Sequence, residues 1–171
     1  MRSLRECERT SMDTSFTVCH EERALNNTSY EKIGKYVGDF KNNLAHGVGR
    51  QTFKDGGWFE GEIKNDELNG KATYVMPNGD KFIGYLTENN ALLTIEGDGE
   101  YIYANGDSYK GNFVNNYFSG AGVYTFGDSM KYDGDFHNNK HSETAVFSHV
   151  DGSQYRLTIK RRKLVKLKVS S

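Results

Sequence analysis

Large apolar and small residues alternate with polar residues along most of the chain, beginning at Tyr36. In five segments an aromatic residue, a glycine and an apolar residue stand two positions apart, and mostly polar or charged residues separate them. Positions two apart share one face of a β-strand, so each segment predicts a half-buried antiparallel strand. These segments are Tyr36/Gly38/Phe40, Phe59/Gly61/Ile63, Phe82/Gly84/Leu86, Tyr109/Gly111/Phe113 and Tyr132/Gly134/Phe136.

A second strand pattern follows each of these segments. It places a glycine or alanine first, then an aromatic residue, then another large residue; the first unit is weaker, with Gln51 before Phe53. Each pair of patterns therefore predicts two short strands, the second with its large residues on one face. The clearest second strands are Ala72/Tyr74/Met76, Gly99/Tyr101/Tyr103, Gly122/Tyr124/Phe126 and Ala145/Phe147/His149.

The two patterns recur together as a tandem repeat. The leading aromatic residues are 23, 23, 27 and 23 positions apart, so the third unit carries a four-residue insertion around residues 89–92. Another glycine recurs inside each unit, except the fifth, where Glu143 stands. Asn-rich links and Asn-Gly pairs predict hairpin turns with positive φ. The links are Asn42-Asn43, Asn65-Asp66, Asn115-Asn116 and Asn138-Asn139, and the pairs are Asn78-Gly79 and Asn105-Gly106.

Glycine normally weakens a strand, but here its missing side chain lets an aromatic ring lie flat over the backbone. We therefore expect an all-β fold, an elongated single-layer antiparallel β-ribbon of tandem hairpins that is stabilised mainly by contacts between neighbours. Residues 1–35 form a polar leader that we expect to be disordered. Residues 36–159 hold five repeats and a partial sixth, and residues 160–171 form a basic tail or capping strand.

The pattern Tyr-x-Gly-x-Phe, a polar link, Gly-x-Gly and a closing glycine on a 23-residue period closely resembles the MORN (membrane occupation and recognition nexus) repeat. The unit that begins at Tyr109 is nearly a full match, whereas the fifth departs at Glu143 and Ala145. The resemblance implies an elongated, grooved and non-catalytic β-sheet. It also implies a scaffold in cytoskeletal, ciliary or cell-cortex assemblies, or in junctions that tether membranes.

Some MORN arrays lead into a catalytic domain, as in lipid kinases and a lysine methyltransferase. Because this chain ends about twelve residues after the last repeat, we expect no such domain, no enzyme activity and no cofactor. The expected partners are cytoskeletal or ciliary proteins, and the expected location is the cytoplasm, with the cytoskeleton or a cilium. Self-association through the open ends of the sheet is a further expectation.

The net charge of −1 conceals a strong polarity. Residues 1–35 are neutral, residues 36–155 carry nine basic and seventeen acidic side chains, and residues 156–171 carry seven basic side chains and no acidic ones. An acidic repeat array therefore precedes a basic end. Nucleic acid is disfavoured as a partner, because the acidic repeats would repel phosphate.

The basic end has two interpretations. It can be a final edge strand, with Val165, Leu167 and Val169 on one face and lysines that block edge-to-edge aggregation. Alternatively, it can bind an anionic partner, in the first place an anionic phospholipid surface, where each cation contributes about 1 kcal/mol. The second interpretation makes the chain a peripheral membrane adaptor. Its candidate residues are Lys160, Arg161, Arg162, Lys163, Lys166 and Lys168.

The aromatic stripe also has two interpretations. The rings can be the core of a fold that has few aliphatic residues, or some of them can form a surface that binds a partner. The candidate aromatic interaction face comprises Tyr36, Phe59, Phe82, Tyr109, Tyr132, Tyr74, Tyr101 and Tyr124.

Other chemistry is not indicated. His137 and His141 fall in a hairpin link, where a four-residue spacing does not bring ligands together as it does on a helix, so we expect no metal site. Cys7 and Cys19 lie in the leader without a Cys-x-x-Cys partner, which suits a reducing compartment and no disulfide framework. The longest aliphatic stretch, residues 91–93, is far too short to span a membrane.

Overall fold

The computed structural model describes residues 5–8, 17–21, 33–89, 92–160 and 163–168. Within them the chain forms fourteen β-strands and no helix, and strands that are adjacent in sequence are hydrogen-bonded neighbours in one sheet. The expected all-β sheet of consecutive antiparallel hairpins is confirmed. The strands are β1 (Arg5–Glu8), β2 (Thr17–Glu21), β3 (Ile33–Lys41), β4 (Leu44–Phe53), β5 (Trp58–Lys64), β6 (Glu67–Val75), β7 (Lys81–Asn89), β8 (Leu92–Ile102), β9 (Ser108–Val114), β10 (Tyr117–Thr125), β11 (Lys131–His137), β12 (Lys140–Ser148), β13 (Gln154–Lys160) and β14 (Lys163–Lys168).

The chain divides into two compact units. The first comprises residues 1–79 and 85–94, and the second comprises residues 80–84 and 95–171. In the first unit the buried residues include Tyr36, Phe59, Ile63 and Leu68. In the second they include Phe82, Tyr109, Phe113, Phe118 and Phe136. Each unit thus has its own core, which mixes rings with aliphatic side chains in the first unit and consists mainly of rings in the second.

Glycines in neighbouring strands lie opposite one another beneath the leading rings. In the second unit Gly111 pairs with both Gly99 and Gly122, and Gly122 also pairs with Gly134. A Cβ atom added to Gly111 or Gly122 would meet the hydroxyl oxygen of Tyr109 at 2.5 Å. The Tyr109 ring therefore occupies the space that two absent side chains leave, as the sequence predicts.

The same arrangement recurs with other rings but is not universal. The Tyr36 ring lies over Gly38 and Gly49, and the Phe82 ring lies over Gly84 and Gly99. In the second repeat the nearest side chain to Gly61 is instead Ala72, its partner across the strand pair. A methyl group there fills the space that a ring covers elsewhere.

The Asn-rich links adopt the predicted positive φ at both residues: Asn42 and Asn43 have φ values of 53° and 63°, and Asn115 and Asn116 have values of 50° and 69°. At the Asn-Gly pairs the predicted positive φ is confined to the glycine, as at Gly79 (90°) and Gly106 (92°). The amide of Gly79 donates to the carbonyl of Met76 at 2.9 Å, so Pro77 and Asn78 form an ordinary β-turn and only the residue after it is left-handed.

The internal glycine lies in a β-bulge in the first, second and fourth repeats. Between Ser119 and Gly122, β10 carries two more residues than β9 opposite it, and Gly120 in this interval has a φ of 68°. Gly47 lies in the equivalent interval of β4 and has a φ of 84°. Two extra residues bend the strand but preserve which face its side chains occupy, so Phe118 stays on the buried face.

The polar leader contains two strands, β1 and β2. Strand β1 pairs with β2, and β2 pairs with β3 through Thr17, Val18 and Cys19. The first repeat offers an open strand edge, and hydrogen bonding to it gives β2 the partner that an isolated polar segment lacks. Leader residues 33–35 belong to β3, and the other leader residues lie outside the described residues.

We predict that Gly122→Ala lowers the free energy of unfolding by about 1–3 kcal/mol, because the added methyl group overlaps the Tyr109 ring. Urea unfolding of the full chain measures this loss. In a Tyr109→Leu background the same substitution should cost clearly less, because the flexible leucine can move aside. An equal cost in both backgrounds would show that the ring is not what excludes the methyl group.

Candidate interaction surface

The residues of the candidate aromatic interaction face separate into two classes. Tyr36, Phe59, Phe82 and Tyr109 are buried, with exposed fractions of 8%, 3%, 0% and 0%. These rings pack inside their own unit and present almost no surface to a partner. Tyr132 and the second-strand rings of Tyr74, Tyr101 and Tyr124 are only half-buried. The accessible aromatic surface therefore comes mainly from the second strands.

Second-strand rings of the second unit form a continuous row, which we call the aromatic ladder: Tyr101, Tyr103, Tyr124, Phe126 and Phe147. Ring centroids are 4.7 Å apart between Tyr101 and Tyr103, and 6.2 Å apart between Tyr103 and Tyr124. They are 4.9 Å apart between Tyr124 and Phe126, and 6.0 Å apart between Phe126 and Phe147. All five side chains are half-buried. The ladder is thus an ordered apolar surface that retains access to solvent.

Two aspartates fix the tyrosines of this surface. Asp80 accepts hydrogen bonds from the Tyr101 hydroxyl at 2.8 Å and from the Ala104 amide at 2.9 Å. Asp107 repeats the arrangement one repeat later, accepting from the Tyr124 hydroxyl and from the Gly127 amide, both at 2.8 Å. Each carboxylate therefore joins a turn to the ring and the turn of the following repeat.

The electrostatics of these pairs follow from their geometry. Hydrogen bonds from Tyr124 and from the Gly127 amide lower the pKa of Asp107, because they stabilise its charged form. Burial, together with the adjacent Asp107, raises the pKa of Tyr124 above its usual value. The pKa of Tyr103 is also raised, by burial and by the charges of Asp80 and Asp107. Tyr124 thus stays neutral beside the ionised Asp107 carboxylate at physiological pH.

At the opposite ends of the hairpins, the Asn-rich links join neighbours in a second way. Asp66 accepts a hydrogen bond from the Ala45 amide at 2.6 Å, and its own amide donates to the Ala45 carbonyl at 3.0 Å. Asn139 makes the same reciprocal pair with Phe118, at 2.7 and 3.2 Å. Asn116 makes it with Ile95. Side chain and backbone of one link therefore hold the preceding hairpin of the same unit.

We call these two sets of hydrogen bonds clamps: those of Asp80 and Asp107, and those of the link residues Asp66, Asn116 and Asn139. The sequence alone did not predict them. It identified the links as turn formers only. The signal was nevertheless present, since Asp follows Asn-Gly at both Asp80 and Asp107. Other repeats have Gly57, Met130 or Ser153 at the corresponding position.

The residues of the candidate anionic-partner site lie at the end of the sheet. Lys160 ends β13, while Lys163, Lys166 and Lys168 lie on β14. In the register of this strand pair, Lys166 is opposite Leu157 and Lys168 is opposite Tyr155. Arg161, Arg162 and Val169 lie outside the described residues. Binding of an anion by this segment stays a prediction.

Metal-binding and membrane-spanning features were also sought. Among the described residues, no group of three or more His, Cys, Asp or Glu side chains is placed to hold a metal ion. That part of the chain also has no helix long and apolar enough to cross a membrane.

The repeats match a known family. The MORN repeat model matches five segments, residues 36–58, 59–81, 95–108, 109–131 and 132–154, which together cover more than half of the chain. The chain belongs to the MORN repeat family. The resemblance inferred from the sequence is confirmed, and the shortened third match falls where the 27-residue spacing interrupts the MORN period. A comparison with curated proteins finds no match.

We predict that Asp107→Asn makes the stability of this MORN protein less sensitive to acid. The folded-state pKa of Asp107 is lower than its unfolded value, so its stabilising effect is complete above about pH 4 and is lost as the pH falls through the folded-state pKa. Urea unfolding from pH 7 to pH 2 measures the difference. Asp128→Asn is the matched control, because the Asp128 carboxylate accepts a hydrogen bond from the Met130 amide within its own turn. If both variants follow the wild-type curve, Asp107 is not a stabilising clamp.

Proposed function

We propose that this MORN repeat protein is a non-catalytic scaffold that binds protein partners in a cytoskeletal, ciliary or cell-cortex assembly. The observation that supports the proposal best is the aromatic ladder. Rings held at fixed spacing and only half-buried offer apolar contact area at little cost in conformational entropy, and aromatic residues dominate binding hot spots. Family membership supports the same class of role, because MORN repeats commonly mediate protein or lipid binding.

The clamps give the ladder a property that suits a scaffold. Asp107 fixes the Tyr124 hydroxyl, and the Gly127 amide that it also binds belongs to the next turn. A partner that docks on such rings does not have to order them first, so less of its interaction energy is lost to entropy. Phe126 has no hydroxyl to be held and lies between Tyr124 and Phe147, which makes it the best single position at which to test docking.

We predict that Phe126→Ala weakens capture of the protein's partners by about 10–100-fold, the effect expected when an aromatic residue at a binding hot spot is truncated. Affinity capture of the full chain from its native cells, followed by quantitative mass spectrometry, measures the change. Co-sedimentation with microtubules and with actin filaments then tests the cytoskeletal assignment directly.

Tyr117→Ala is the matched control, because Tyr117 is 48% exposed and precedes the buried Phe118, which places it on the opposite face of β10. Urea unfolding of both variants separates a binding defect from a folding defect. Equal capture by wild type and Phe126→Ala would contradict the proposal that the ladder binds partners. Capture that Tyr117→Ala reduces equally would contradict it too.

The second candidate function is that of a peripheral membrane adaptor. It is favoured by the concentration of seven basic side chains and no acidic ones in residues 156–171. Cations at an anionic lipid surface contribute about 1 kcal/mol each, so three lysines of β14 could supply about 3 kcal/mol. The acidic repeats would at the same time turn away from the membrane, which gives the bound chain a defined orientation.

We predict that, if this second function operates, Lys163→Gln, Lys166→Gln and Lys168→Gln together reduce co-sedimentation with phosphatidylserine vesicles by about 100-fold. The triple variant keeps the length of β14, which deletion of residues 160–171 would not. A variant with Lys41, Lys64 and Lys71 changed to Gln is the matched control, since these are exposed lysines of the repeats. Wild-type protein that does not sediment with anionic vesicles at low salt would exclude the adaptor function.

A further inference from the structure

The two cysteines of the chain are partners across a pair of strands. Cys7 lies on β1 and Cys19 lies on β2, and their Cα positions are directly opposite in the antiparallel register. The sequence contains no other cysteine. Their spacing of twelve residues in the sequence does not predict that the two cysteines are opposite each other. Only the pairing of β1 with β2 places them so.

The charged residues around the cysteines favour this register. Arg5 is opposite Glu21, and Glu6 is opposite His20. Arg5 and Glu21 carry opposite charges, and such residues at directly opposed positions stabilise an antiparallel pair. A slip by one residue would move every side chain of β1 to the other face and would separate the cysteines as well.

Directly opposed residues in antiparallel strands have the geometry that a disulfide needs. Their Cα atoms are about 4.5 Å or about 5.5 Å apart, depending on the hydrogen-bonding pattern of the pair. Both values fall within the range of about 4.4–6.8 Å that disulfides span. No large movement of the backbone is therefore required for the two sulfur atoms to bond.

We propose that Cys7 and Cys19 form a reversible disulfide that fastens the N-terminal strand pair β1–β2 in response to oxidising conditions. A small-molecule disulfide of the glutathione class is the oxidant. One cysteine thiolate attacks it and releases the first glutathione thiol, leaving a mixed disulfide. The second cysteine then attacks the protein-bound sulfur and releases the second thiol, so that one disulfide is reduced for each one formed.

The position of β2 gives the disulfide a consequence for the repeats. Cys19 is also opposite Tyr36, the leading aromatic residue of the first repeat, and Thr17 is opposite Gly38. Strand β2 thus covers the edge of β3 that would otherwise be open to pairing with another chain. A bond between β1 and β2 restricts the unfolded leader and so favours the strand pair that covers this edge. In a reducing compartment such a bond is transient, as a regulatory disulfide has to be.

The test is an equilibrium titration of the full chain in buffers of reduced and oxidised glutathione, trapped with acid and resolved by mass spectrometry. We expect a product about 2 Da lighter than the reduced chain, with an equilibrium constant at least about tenfold larger in native buffer than in concentrated urea. Equal constants in the two solvents would overturn the proposal, because the fold would then not bring the cysteines together. Predominant mixed disulfides or disulfide-linked dimers would overturn it as well.

Two further variants test the register itself. In C19S/H20C the second thiol moves to the neighbouring position, which lies on the other face of β2, and the native advantage should disappear. In C7S/C19S/E6C/H20C both thiols move to another directly opposed pair, and the advantage should return. The register argument would be contradicted if the four-substitution variant did not recover the native advantage. It would also be contradicted if C19S/H20C kept that advantage.

Hydrogen exchange reports the structural consequence. Oxidised wild type should exchange the amides of β2 and of the β3 residues paired with it at least about tenfold more slowly than reduced wild type. C7S gives the matched control, because it retains one thiol and should show no difference between the two conditions. The same exchange rates in oxidised and reduced wild type would show that the disulfide does not fasten the edge of the repeats.

Discussion

The packing of an aromatic ring over paired glycines is the contact on which the repeats of this protein depend. A single sheet has no second layer to bury its large side chains against, and few aliphatic residues are available. The Tyr109 ring solves this by lying over Gly111 and Gly122, so that the backbone itself becomes the opposing surface. The centroid of the Tyr109 ring lies 5.3 Å from that of Phe113 and 3.8 Å from that of Phe118, and these contacts extend the core beyond one strand.

Ring packing also joins neighbouring hairpins, as between Phe82 and Phe113 and between Tyr109 and Phe136. Hydrogen bonds from turn to turn provide a second connection. At one end of the hairpins a carboxylate such as Asp107 binds the next repeat, and at the other end a link residue such as Asn139 binds the preceding one. Both kinds of bond join nearest neighbours only, and the stability of each unit is therefore a sum of local terms, as in other repeat proteins.

The same residues connect the fold of this MORN protein with its proposed function. Rings of the first strands are buried and serve the core. Those of the second strands are aligned by the same register but stay half-buried. A binding surface of this kind needs no separate site, because it is the exposed margin of the core.

The sequence by itself determined the strands of the repeats, their order and their buried face. A period of 23 residues with glycine beside an aromatic residue admits few structures other than tandem hairpins, and the Asn-rich links required left-handed turns. These features are local, so neighbouring residues are enough to predict them. What the sequence left open depends on atoms about twenty residues apart, such as Asp80 with Ala104 or Asn116 with Ile95. The register of the strands also decides which rings are buried, and it places Cys7 opposite Cys19. Only the tertiary structure decides such pairings, because hydrogen-bonding partners and neighbours in space are fixed by the assembled sheet.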